Sequence, residues 1–374
     1  MRTLIVRTVG VAVALLGFAL APQISSTQPS YAPLDQPGPP LSVPLSQLRA
    51  SLSCEPGVNN ARTEPVLLSP GTGSTASENF GWNWEPALDQ LGIPWCAYTP
   101  PHYTLDDITT SGEYLVYAIR TMYSMAHRPI AVMGHSQGGM VPRWALRFWP
   151  DTRAMVDDQI GFAPSNHGTV DADPACSFPC PAAFWQQRDS AEFIKALNSY
   201  QETFPGISYT EIYTHTDQVV VPNFDDTGSS SLHGGGGQIT DVAIQDVCPL
   251  DLSEHLAIGT MSNTAYALAI DALEHPGPAD PSRIPASVCS QYFMPGVNQA
   301  TVLTDMTSLD TDLVENIANG RRVPAEPPLE CYVTASCGEG AAAAKVAKCK
   351  RKHKKGHRAE ASKKRHCKKR HKKR

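Results

Sequence analysis

Short apolar runs alternate with longer amphipathic stretches along most of this chain. Segments 65–68, Trp95–Tyr98, 129–133, 159–163 and Ser208–Tyr213 are brief, rich in aliphatic and aromatic residues, and bounded by Pro, Gly, Ser or His. That is the pattern of strands buried on both faces. Between them, 45–52, Trp84–Leu91, 109–126, 139–148 and 182–200 carry helical spacing, and 253–273 contains a further helix rich in Ala, Ile and Leu. In 109–126 the apolar positions 115, 116, 119, 122 and 123 fall on one face. Segment 239–247 is β-rich, and Asp241 within it sits in an expected hairpin. Strands alternating with helices predict an α/β fold, a mainly parallel sheet flanked by helices on both faces. No internal repeat is present.

Segment 129–133 runs directly into Gly134-His135-Ser136-Gln137-Gly138, and the helical run follows. A serine between two glycines at a strand-to-helix turn is the nucleophile elbow of an α/β-hydrolase. The turn is tight, so a β-carbon two residues either side of the serine would collide with it. The helix that follows aims its N-terminal dipole at the oxygen that becomes negative beside the serine.

A serine hydroxyl needs a histidine to take its proton, and that histidine needs an acid to fix its tautomer. In this fold the chain order is Ser, acid, His. Asp217 follows the late strand Ser208–Tyr213 and is the expected acid, whereas Asp225, Asp226 and Asp241 read as surface carboxylates. His255, at the start of the last Ala-rich helical segment, is the expected base. His167, His215, His233 and His275 read as loop or surface residues, and His353, His357, His366 and His371 lie in the C-terminal tail. The oxyanion donors are expected from Gln137, which follows the nucleophile, and from Thr72 in the loop Gly71-Thr72-Gly73. His233-Gly234-Gly235-Gly236-Gly237 falls after the acid and reads as a loop or hairpin tip.

Composition adds a compartment and a second segment. Hydrophobic residues make up 41% of 374, enough for a real core. Arg2 and Arg7 precede an uncharged apolar run that is too short to span a bilayer, which predicts a secretory signal and leader over 1–32. Ten cysteines agree with export into a disulfide-forming compartment, though spacing alone leaves their pairing open. The net charge of −5 conceals opposed parts: 345–374 holds 17 basic residues against Glu360. A hydrolase domain over 33–340 and a basic, disordered tail over 341–374 are therefore expected. The tail is a candidate for binding anionic cell-surface polymer or lipid headgroups. No nucleic acid is expected, and neither is a metal or cofactor: HExxH, P-loop and dinucleotide fingerprints are absent.

Pro70-Gly71-Thr72-Gly73-Ser74-Thr75, Trp95-Cys96 with Pro100-Pro101, and Ser136-Gln137-Gly138-Gly139 together resemble the Candida antarctica lipase B family. So do Phe162-Ala163-Pro164, Gly168-Thr169-Val170, Trp185-Gln186-Gln187, Tyr213 through Asp217, Val247-Cys248 and the His255 segment. The resemblance runs in order over roughly 45–295. It implies an α/β-hydrolase fold, serine lipase or esterase activity and no metal. It also implies Ser136, Asp217 and His255 as triad, Thr72 and Gln137 as oxyanion residues, and disulfides Cys54–Cys96 and Cys248–Cys289. His135, Gln187, Val219 and Val220 are candidate pocket residues. His135 stands where the best-known member has a tryptophan on the alcohol side, and Ser165 where it has an acid. Cys176 and Cys180 have no counterpart there. The expected function is a secreted or cell-surface ester hydrolase acting on lipid or other apolar esters. A polyester depolymerase or general esterase would use the same residues. A protein whose hydrolase body is inert and whose tail binds surfaces would lack a triad member, and none is missing.

Overall fold

The computed structural model describes residues 30–335. The signal segment, the basic tail and its cysteines and histidines lie outside the described residues, apart from the last residues of the expected leader. Those residues belong to the packed unit. Tyr31 bridges to Thr334, Ala32 N donates to Val333 O at 2.8 Å, and Ala32 is buried.

The first five strands are β1 (Leu52–Cys54), β2 (Val66–Ser69), β3 (Trp95–Tyr98), β4 (Ile130–His135) and β5 (Val156–Phe162). Then come β6 (Cys180–Pro181), β7 (Ser208–Tyr213), β8 (Gln238–Ala243) and β9 (Arg322–Val323). Seven of them form the main sheet in the order β1-β3-β2-β4-β5-β7-β8, and the two-residue strands β6 and β9 pair apart from it. Only β1 in the main sheet is antiparallel to its neighbour. The central strands are apolar on both sides because helices cover both faces. Along β4, Ile130 and Val132 enter one core with Leu115, Ile119 and Trp144, while Ala131 and Met133 enter the other with Trp84 and Leu268.

Three local expectations are corrected. Segment 182–200 is two short helices, Ala182–Gln186 and Glu192–Leu197, because the Gln187 carbonyl accepts from Thr169 N at 2.7 Å instead of continuing the helix. Segment 239–247 is β8 followed by a turn of helix, Ile244–Val247. Since β8 runs parallel to β7, Asp241 sits in a crossover-connected strand rather than a hairpin, and its side chain is largely shielded. The Ala-rich stretch is also two helices, His255–Thr260 and Asn263–Glu274, the second capped by Ser262. Three further helices join the expected ones: Ala76–Phe80, the single turn Ala172–Ala175, and Val302–Asn319.

Candidate active site

The elbow turns within two residues. Ser136 has φ 56° and ψ −124°, a conformation that L-residues avoid and that persists only where the surroundings hold it. Its amide donates to Phe162 O at 2.8 Å on β5. A β-carbon on Gly134 would lie 2.1 Å from Gly138 O, and one on Gly138 would lie 2.0 Å from Ser69 O. Both glycines are therefore steric necessities. The helix begins at Gln137, two residues earlier than its hydropathy suggests, so its first free amides are beside the serine.

Asp217 and His255 come from the carboxyl ends of β7 and β8, where a parallel sheet gathers its ligand-facing loops. Asp217 Oδ2 accepts from His255 Nδ1 at 3.0 Å, and both side chains are almost wholly shielded from solvent. Asp217 Oδ1 accepts from Val219 N and Val220 N, each at 2.8 Å. Burial alone would raise this carboxyl. The adjoining His255 and the two backbone donors outweigh burial and hold it below its ordinary range, as a carboxylate. His255 opens its helix, and Glu254 caps that helix by accepting from Leu256 N and Ala257 N.

The loop after β2 carries Thr72. Thr72 Oγ1 accepts from Gln137 Nε2 and from Gln187 Nε2, each at 2.9 Å. With two donors already aimed at its lone pairs, the Thr72 hydroxyl proton is left free to point elsewhere. Asn79 Oδ1 holds the loop by accepting from Gly71 N at 2.9 Å, and Thr104 Oγ1 donates to Gly71 O at 2.7 Å. Thr104 ends a run of three left-handed residues, His102, Tyr103 and Thr104. This strained turn braces the loop from outside.

A cavity of about 370 Å³ opens over these groups. Ser136, His255 and Thr72 line it, and so do His135, Gln187, Val219 and Val220. Asp217 stands behind His255, outside the lining. Asp225 and Asp226 are exposed, and His167 is occupied by Glu202 at 3.1 Å. The His233–Gly237 run leads into β8 as a loop and does not reach the cavity. Sequence reasoning missed Asn79, carried by the Ala76–Phe80 helix, and Leu309, Leu313 and Ile317 of the Val302–Asn319 helix, which cover one side. Both helices left a signal: a Thr75–Glu78 capping box, and apolar residues at 302, 306, 309, 313 and 317.

The structure forms Cys54–Cys96 between β1 and β3, and Cys248–Cys289 between segments flanking the helices His255–Thr260 and Asn263–Glu274. A third bridge, Cys176–Cys180, closes a short loop next to the cavity wall at Ala172 and Ala175.

A mainly parallel sheet with helices on both faces, a strained serine at an elbow and a buried Asp–His pair at the strand ends define an α/β-hydrolase. No family model matches the sequence. Over 238 residues, 63% of this chain and 69% of the relative, it is 34% identical to lipase B of Pseudozyma antarctica. The crystal structure of Aspergillus fumigatus lipase B matches at TM-score 0.74 and 28% identity, covering 79% of this chain and 73% of that one. The chain belongs to the lipase B family, and is a lipase or carboxylesterase.

Proposed function

We propose that this enzyme is exported and hydrolyses lipid or other apolar carboxylic esters through an acyl-enzyme on Ser136. His255 acts as base and then acid, Asp217 orients it, and Thr72 and Gln137 hold the oxyanion. The observation that carries this reading is the shielded Asp217–His255 contact beside a strained Ser136 in one cavity. Ser136 Oγ attacks the carbonyl carbon and its proton passes to His255 Nε2. The carbonyl oxygen, now negative, takes hydrogen bonds from Gln137 N and from the Thr72 amide and hydroxyl. As the tetrahedral species collapses, the C–O bond breaks and Nε2 returns the proton to the departing alcohol. Water, deprotonated by the same nitrogen, then attacks the acyl carbon; the bond to Ser136 Oγ breaks, Nε2 returns the proton to Oγ, and the acid is released.

Leu309, Leu313, Ile317 and Val219 give the cavity aliphatic walls, which favours acyl chains of some length. Three disulfides among the described residues favour an oxidising compartment. No helix among those residues is long and apolar enough to cross a membrane. The hydrolase domain, expected over 33–340, takes in Tyr31 and Ala32 as well, and the basic tail is assigned to 341–374, holding the acidic body at anionic surfaces. A panel of p-nitrophenyl esters from acetate to palmitate, run beside emulsified triglyceride, tests the substrate class. Turnover extending to the long chains and the emulsion is expected. Turnover confined to acetate and butyrate favours the general-esterase alternative, and no turnover contradicts the reading. Removing 345–374 should leave soluble-ester turnover unchanged while lowering salt-sensitive adsorption to anionic vesicles. Equal adsorption at low salt contradicts the tether.

A further inference from the structure

One corner of the cavity is polar and takes no part in the steps above. It is built from His135 and Asn79, which are 4% and 1% exposed and both line the cavity. His135 Nε2 lies 2.8 Å from the backbone oxygen of His255, which can only accept, so Nε2 carries the proton. Burial, followed by the nearby His255, pushes the His135 imidazole down to about 3, so it is neutral and Nδ1 keeps a bare lone pair. That Nδ1 lies 3.4 Å from Asn79 Oδ1, which is also an acceptor. The Asn79 oxygen cannot exchange places with its amide nitrogen, because it accepts from Gly71 N at 2.9 Å. Asn79 Nδ2 is buried and has no hydrogen-bond partner among the protein atoms.

The corner therefore offers two acceptors without a proton between them and one donor without an acceptor. A hydroxyl group is the complement, since it brings one proton and two lone pairs. The side of the cavity follows from the chemistry. The base returns its proton to the leaving oxygen, so the departing alcohol lies toward His255. The His135 ring is 5.0 Å from the His255 ring, centroid to centroid, and so lies on that side.

We propose that His135 and Asn79 read a hydroxyl on the leaving alcohol, so that the favoured substrates are esters of glycols, glycerol or other polyhydric alcohols that keep a free hydroxyl. The inference rests on Ser136 and His255 being the reacting centre.

Two esters of one acid separate the hydroxyl from everything else. 2-Hydroxyethyl butyrate and propyl butyrate differ by a hydroxyl in place of a methyl on the alcohol. In the full-length enzyme kcat/KM should favour the hydroxyethyl ester at least tenfold, because a site with unfilled polar groups rejects the analogue that leaves them unfilled. His135→Phe and Asn79→Leu should each bring that ratio close to one. Taking the ratio within each variant cancels any general loss from a shifted His255 or a loosened Gly71 loop. A ratio near one in the unsubstituted enzyme, or the same preference kept in both variants, overturns the proposal. If neither ester is hydrolysed by the unsubstituted enzyme, the assignment of the reacting centre fails instead.

Discussion

Replacing Asp217 with asparagine keeps the shape of the acid and changes only which of its atoms carry hydrogen. Oδ1 accepts from two backbone amides, Val219 N and Val220 N. An asparagine placed there keeps its oxygen on those amides and turns its NH2 toward His255 Nδ1. His255 must then present a lone pair at Nδ1 and a proton at Nε2, which leaves Nε2 unable to take the proton of Ser136. The opposite orientation of the amide would restore the tautomer but would set NH2 against two N–H donors. At about 1–3 kcal/mol for an unsatisfied buried donor, and less for Val219 N because Val219 is partly exposed, that orientation is disfavoured by roughly 2–4 kcal/mol. With about 1.4 kcal/mol for each factor of ten, the productive form is depleted by some 30-fold to 10³-fold. Triads of this kind lose roughly four orders of magnitude in turnover on the same change. Turnover of a soluble p-nitrophenyl ester should therefore fall by about three to four orders of magnitude, with KM little changed and the far-UV spectrum and melting temperature preserved. A fall of less than tenfold in a folded variant would refute the reasoning.

Two further perturbations test the scaffold. Burial pushes Asp241 from an ordinary 3.8 up to about 7, so between those values the unfolded chain has lost a proton that the folded chain keeps, and stability falls as pH rises. Asp241→Asn removes this loss while its oxygen can still accept from Leu232 N, as Oδ1 does at 3.0 Å. The variant should unfold like the parent near pH 4 and gain on the order of a few kcal/mol at pH 8 by urea titration; an equal destabilisation at both pH values contradicts the assignment. Cys54–Cys96 joins residues 42 apart, so replacing both cysteines with serine should cost about 4 kcal/mol of unfolding free energy in the loop-entropy account. A cost below about 1 kcal/mol would show that the bridge adds no constraint of that kind.

What was legible in the sequence was whatever local chemistry dictates. Trp84–Leu91, Trp95–Tyr98 and Ser208–Tyr213 have the bounds that hydropathy and punctuation suggest. The elbow was visible because Gly134 and Gly138 are forced by collisions with the tight turn and the neighbouring strand end. That Asp217 and His255 would meet was reachable through chain order, since a parallel sheet carries successive loops to one end. What escaped depends on contacts between distant segments. The helical run 182–200 breaks because Thr169 takes a carbonyl from it, and nothing in the run itself announces that. Three successive left-handed residues at His102, Tyr103 and Thr104 are held by the Gly71 loop rather than by their own propensities. Gln187 was expected in the pocket wall, yet its hydrogen bond to Thr72 also ties that wall to the loop after β2. The Val302–Asn319 helix had a readable apolar stripe; the cavity it covers is assembled only in three dimensions.

The central claim is that Ser136 is the attacking residue, and a fluorophosphonate probe tests it most directly. The probe is attacked as an ester would be and stays on the nucleophile. Intact-mass measurement and peptide mapping should find one adduct per chain, on Ser136, formed in step with the loss of ester hydrolysis. Ser136→Ala should fold, take up no probe and lose hydrolysis. An adduct on another residue, or hydrolysis within tenfold of the parent in Ser136→Ala, would contradict the account.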